Sequence, residues 1–96
     1  MTTNASLALT PSARTAASRD LAPGEWLRIA FVGGCGALGY RLSRVRRTYD
    51  GDVSVEIEDI PILLDARAAR ELVGVTLDHA DDEGFLLQHP SWGASC

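Results

Sequence analysis

A chain of 96 residues has room for one domain with a modest core and excludes two. A 46% hydrophobic share beside 23% charged residues excludes wholesale disorder. Nine basic residues, all arginine, against thirteen acidic ones leave a formal charge of -4, which argues against nucleic acid as the main partner.

No apolar run approaches the roughly 20 residues that span a bilayer. The N-terminus lacks a basic n-region followed by an apolar h-region, so a reducing cytoplasm is the expected location. Cys35 and Cys96 are then expected as free thiols.

In chain order, Met1 to Ala8 is small and polar and reads as a flexible N-terminus (residues 1–8). Thr10 is a good N-cap and Pro11 suits the first helical position, which predicts a helix from Pro11 to about Arg19 with Ala13, Ala16 and Ala17 on its inner side. Trp26 to Val32 reads as a buried strand. It runs into Gly33, Gly34, Cys35, Gly36 and Gly39, so one thiol sits on a glycine-rich turn.

Residues 40–47 lean towards strand. Asp50-Gly51 supplies the positive φ angles of a type I′ turn, and the economical expectation is a hairpin joining 40–47 to Val53–Glu58. In that second arm Val53, Val55 and Ile57 alternate with polar residues, as in a strand with one wet face. Ile60 to Leu64 reads as a short strand that Pro61 puts at an edge or at the start of pairing. Asp65 can cap a helix over Ala66 to Leu72, which Gly74 closes. Val73 to Leu77 and Phe85 to Gln88 read as strands around the turn Asp81-Asp82-Glu83-Gly84. The tail from His89 has no periodicity.

Two chemistries compete for the glycine turn. Gly34-Cys-Gly-Ala-Leu-Gly39 is formally Gly-x-Gly-x-x-Gly after a strand, and Glu58 or Asp59 follows about 20 residues on, as in a dinucleotide-binding unit. That reading, a Rossmann-like half-domain of an enzyme, requires residues 40–47 to be helical. The other pairs Cys35 with Cys96, 61 positions apart. Thiolates are the soft ligands of iron-sulfur clusters, and a symmetric dimer could supply four of them from two chains.

The chain also resembles the HesB/IscA group, the A-type carriers of iron-sulfur cluster assembly. The likeness runs through Leu9-Thr-Pro-Ser-Ala-Arg14, Leu27-Arg-Ile-Ala-Phe-Val into Gly33-Gly34-Cys35-Gly-Ala-Leu-Gly-Tyr40, Ile62-Leu-Leu-Asp65, Gly74-Val-Thr-Leu-Asp78 and Phe85-Leu-Leu-Gln-His-Pro90. It implies an α+β, mainly β fold, a HesB-like compact β-sandwich over residues 9–90 with short helices, and a mobile cysteine-containing tail over 91–96. It implies a carrier or scaffold rather than an enzyme, holding a 2Fe–2S or 4Fe–4S cluster, or iron, and passing it to apo-proteins. Scaffold proteins and a second copy of the chain are the implied partners, with neither membrane nor nucleic acid. The family binds cluster or iron through a cysteine in the glycine loop and a Cys-Gly-Cys near the C-terminus. Cys35 matches the first and Cys96 the first of the terminal pair, and the sequence stops there. Gly36 and Ala37 replace the usual Ser and Gly. A HesB-like adaptor without metal is the remaining alternative.

His79 and His89 are possible spare ligands, although surface or packing roles are commoner. Tyr40 is expected to pack against the loop. Trp26 and Trp92 could form an interface, although aromatic burial is the plainer expectation. Arg41, Arg44, Arg46 and Arg47 could receive an acidic partner or simply solvate a strand. Asp81, Asp82 and Glu83 lack the ligand series of a calcium loop.

Overall fold

The computed structural model describes residues 7–34 and 39–89. Element order is β1 (Ala8–Leu9), α1 (Pro11–Asp20), β2 (Trp26–Phe31), β3 (Tyr40–Val45), β4 (Val53–Ile57), β5 (Ile60–Leu64), α2 (Ala66–Glu71), β6 (Thr76–Ala80) and β7 (Gly84–Gln88). The strands form a three-stranded sheet, β1-β6-β7, and a four-stranded sheet, β3-β2-β5-β4. One apolar core joins them. It takes Leu77 and Leu87 from the first sheet, Leu27, Ile29, Ile62 and Leu64 from the second, Ala13 and Ala17 from α1, and Ala68 from α2. The fold is α+β and mainly β, as the resemblance implies.

Both helices begin where local chemistry starts them. Thr10 Oγ1 accepts from the Ala13 N–H at 3.1 Å, and Pro11 occupies the first turn. The same hydroxyl donates to Asp78 on β6 at 2.7 Å, so the cap ties α1 to the sheet it covers. The small inward residues Ala13, Ala16 and Ala17 are buried as expected. Asp65 caps α2 in the same way, accepting from the Ala68 N–H at 2.7 Å.

Three expectations are corrected. Residues 40–45 do form a strand, but β3 pairs antiparallel with β2, Phe31 opposite Tyr40, and not with β4. β4 instead pairs antiparallel with β5, and β5 lies parallel to β2. β3 and β4 thus occupy opposite edges of the sheet. The reason is burial: Ile62, Leu63 and Leu64 are each at most 1% exposed, and a strand that buries consecutive residues belongs in the middle of a sheet. The turn at Tyr49–Asp52 is real, with the Asp52 N–H donating to Tyr49 C=O at 3.0 Å, but it folds the chain across the sheet's outer face. There Asp52, its side chain 1% exposed, accepts a two-pronged ion pair from Arg28 at 2.8 and 3.0 Å, and Arg28 lies 4.4 Å from the centre of the Tyr49 ring.

The strand expected at Val73 to Leu77 is displaced to Thr76–Ala80. Gly74 at φ +74 still redirects the chain, and Val75 is buried before pairing begins. Leu7 and Ala8, which composition places outside the fold, are part of it. Leu7 is buried, and Ala8 pairs with Thr76 in a parallel ladder.

Candidate functional site

The glycine loop is the connection of an antiparallel hairpin. Above the Phe31–Tyr40 pair the Val32 N–H donates to Gly39 C=O at 2.7 Å, closing the base. Gly33 and Gly34 leave that base at φ +103 and +118, a region closed to residues with a Cβ. Gly39 is favoured for a different reason: a Cβ there would crowd Gly34 O and Phe31 Cε1, each at 3.2 Å. The backbone is therefore pinched at both feet of the loop before residues 35–38 begin.

The base is held from below by Asp65. While one of its oxygens caps α2, the other accepts from the Phe31 N–H at 2.9 Å, and the Asp65 N–H donates to Ile29 C=O at 3.2 Å. From the side, α2 reaches over with two residues. Arg67 lies 4.1 Å above the Phe31 ring centre and pairs with Glu71 at 3.0 Å. Glu71 accepts from the Tyr40 hydroxyl at 3.0 Å, while the Tyr40 ring meets Phe31 edge-on at 5.4 Å. Partial burial, then the Glu71 hydrogen bond, push the Tyr40 phenol up to about 12. Tyr40 packs against Phe31 at the base of the hairpin; loop residues 35–38, against which the sequence expects it to pack, lie outside the described residues. The sequence marks Asp65 as a helix cap and as the end of the Ile62-Leu-Leu-Asp65 motif, and carries no signal that places Arg67 and Glu71 beside the loop.

Cys35 and Cys96, the two predicted ligands, lie outside the described residues, as does Trp92. His79 stacks edge-on against Phe85 at 4.9 Å, in a cross-strand pair of the β6–β7 ladder. His89 lies just beyond Gln88, which pairs with Thr76 at the other end of that ladder, so about 13 Å of strand separates the positions. Neither histidine, each a possible spare ligand from the sequence, belongs to a metal-binding cluster among the described residues. The His89 ring instead sits against Gly74, where an added Cβ would lie 3.2 Å from Nε2. Gly74 is three residues beyond Glu71, so the chain leaves β7 beside the end of the helix that touches Tyr40. Among the described residues no cluster of three or more His, Cys, Asp or Glu could hold a metal ion.

The dinucleotide alternative is overturned here. It requires a helix directly after the glycines, and the chain instead returns antiparallel to β2 through all six residues of β3. Glu58 and Asp59 are not at the end of a following parallel strand but in the turn of the β4–β5 hairpin.

No protein-family model matches the chain. An uncharacterised protein in the nifU 5′ region of Azotobacter vinelandii is 33% identical over 98 residues, covering 94% of this chain and 92% of the relative. The iron-sulfur cluster insertion protein ErpA of Histophilus somni is 31% identical over 67 residues, 67% of this chain and 59% of ErpA. The chain belongs to the HesB/IscA/SufA-like family of A-type iron-sulfur cluster carriers. The family consists of carriers rather than enzymes. The Mycobacterium tuberculosis protein Rv2204c is 35% identical over 74 residues, 73% of this chain, and the chain spans 63% of its length. Among solved structures, Escherichia coli SufA, described as involved in the biosynthesis of iron-sulfur clusters, superposes with a TM-score of 0.61 at 21% identity over 94% of this chain and 90% of SufA. That likeness establishes the fold. No helix among the described residues is long and apolar enough to cross a membrane.

Proposed function

We propose that this protein works in iron-sulfur cluster assembly by taking an iron-sulfur cluster, or iron, as cargo on the thiolates of Cys35 and Cys96 and handing it to apo-proteins in the cytoplasm. The observation that carries the reading is the pinched base of the β2–β3 connection, with glycine at both feet and Asp65 fixing the strand beneath. A glycine-flanked cysteine on a paired stem would bring one sulfur to a bulky inorganic core without rearranging the sheet.

Two further observations support it. Family membership ties the chain to carriers, and a relative of 31% identity is named for cluster insertion. His89 enters the tail beside the end of α2, and the seven residues from there to Cys96 reach at most roughly 25 Å at 3.3–3.6 Å each. A sulfur on such a tether can meet the loop of its own chain or that of a second copy. Two chains would supply the four thiolates that a cluster takes, so we include a homodimer in the proposal. Accessible thiolates exchange and buried ones do not, which suits cargo that must be released.

The test is anaerobic reconstitution with iron and sulfide, read by visible absorption and native mass. The wild-type chain gains colour with a stoichiometry that gives cluster type and assembly together. Colourless wild-type protein would instead support the metal-free adaptor.

A further inference from the structure

We propose that the free edge of β3 is a docking site for an extended, acidic segment of a partner protein, which adds to the sheet as a strand beside the glycine loop. Among the described residues β3 has β2 as its single neighbour and ends the four-stranded sheet. An unpaired edge presents N–H and C=O groups to any extended chain that fits. Charge selects the chain. Residues 26–49 contain five arginines and no acidic residue, in a protein of net charge -4, and four of the five lie on β3 or directly after it.

Those four are not equally engaged. Arg44 donates to the Asp20 C=O at 3.1 Å, Arg46 lies 3.6 Å from Glu25, and Arg47 leans on Tyr49. Arg41 makes no ion pair among the described residues and is exposed. It shares the outer face with Ser43, while Leu42 and Arg44 face the core side. On that side the sandwich is open beside β3, leaving a groove of about 440 Å³ whose lining includes Leu27, Leu42, Arg44, Asp20 and Phe85 of β7. An added strand with alternating apolar and acidic residues would direct apolar side chains into this groove and carboxylates towards Arg41. Its own backbone would supply the pairing.

A second copy of the chain is disfavoured on this edge. Two β3 strands meeting across a two-fold axis would set arginines against arginines, and like charges opposite one another destabilise a ladder. β3 starts one residue beyond Gly39, so a segment paired with it ends at the glycine loop. The inference deepens the partner side of the carrier reading, yet its test needs no cargo.

The experiment titrates the reduced, cargo-free full chain, isotope-labelled for amide NMR, with a capped Val-Glu-Leu-Glu-Val-Glu-Leu peptide. The expected result is a saturable shift of the Tyr40–Val45 amides and of Phe85, weakened about tenfold in Arg41→Glu, Arg47→Glu. Both positions are exposed, and an otherwise unchanged spectrum verifies the fold of the variant. The same peptide with Lys for Glu, or N-methylated on alternate amides, is expected not to bind. Equal binding of either control, a response mapping away from β3, preference for a single-stranded oligonucleotide over the peptide, or no saturable shift would each overturn the proposal. The last result would leave the arginines as a solvating edge, and the carrier reading would stand on its own reconstitution test.

Discussion

Asp65 is the residue through which a helix and the cysteine-bearing hairpin share one carboxylate. It accepts from Phe31 at the end of β2 and from Ala68 in the first turn of α2. Asp65→Ala therefore removes a cap, typically about 1 kcal/mol, and strands a second N–H under the loop base at about 1–3 kcal/mol more. Urea denaturation should show a loss of about 2–4 kcal/mol, partly restored by Asp65→Asn, which keeps one acceptor. Tyr40 gives a pH signature of the same neighbourhood. With the phenol raised from 10.0 to about 12, the folded chain binds this proton more tightly than the unfolded one. Its contribution to stability is intact below pH 10 and is lost as pH rises towards about 12. In Tyr40→Phe the late phase of the phenolate absorbance titration should vanish, along with that part of the alkaline loss of stability.

At the scale of elements, the β4–β5 turn is the place where conformation and residue type disagree. Ile57 pairs with Ile60, so only two residues turn the chain, and Glu58 and Asp59 stand at φ +50 and +71. These are the angles of a type I′ turn, held by residues that enter the left-handed region at a cost of about 1 kcal/mol. Glu58→Asn with Asp59→Gly should stabilise the protein by about 1 kcal/mol and raise its melting temperature by several degrees. The same turn explains the misplaced hairpin. Asp50-Gly51 carries the stronger local signal and does form a turn, but which strands pair is settled by burial far along the chain. Nothing in Glu58-Asp59 announces a hairpin; the tight spacing of the two strands forces it. The caps at Thr10 and Asp65 were legible because they act over three residues. The contact between Tyr40 and Glu71 was not, because it joins positions 31 apart and only the docking of α2 on β2 creates it.

For the whole molecule, the base of the glycine loop, Glu71 at the end of α2 and the arginine-bearing strand β3 meet at one side of the sheet. On the two proposals, the labour would divide: the β2–β3 stem would present the cargo loop, and the outer edge of β3 would receive the protein to which cargo is delivered. The fold and the membership of a carrier family were legible in motifs spread from Leu9 to Pro90. The neighbourhood that steadies the loop emerged only from the topology. Cargo binding at Cys35 remains the claim from which the others take their meaning. It is tested most directly by anaerobic reconstitution of the wild-type chain beside Cys35→Ser, with bound iron counted and visible absorption recorded. The account predicts coloured, iron-loaded wild-type protein and a folded variant that has lost its iron; equal iron and equal absorption in the two would contradict it.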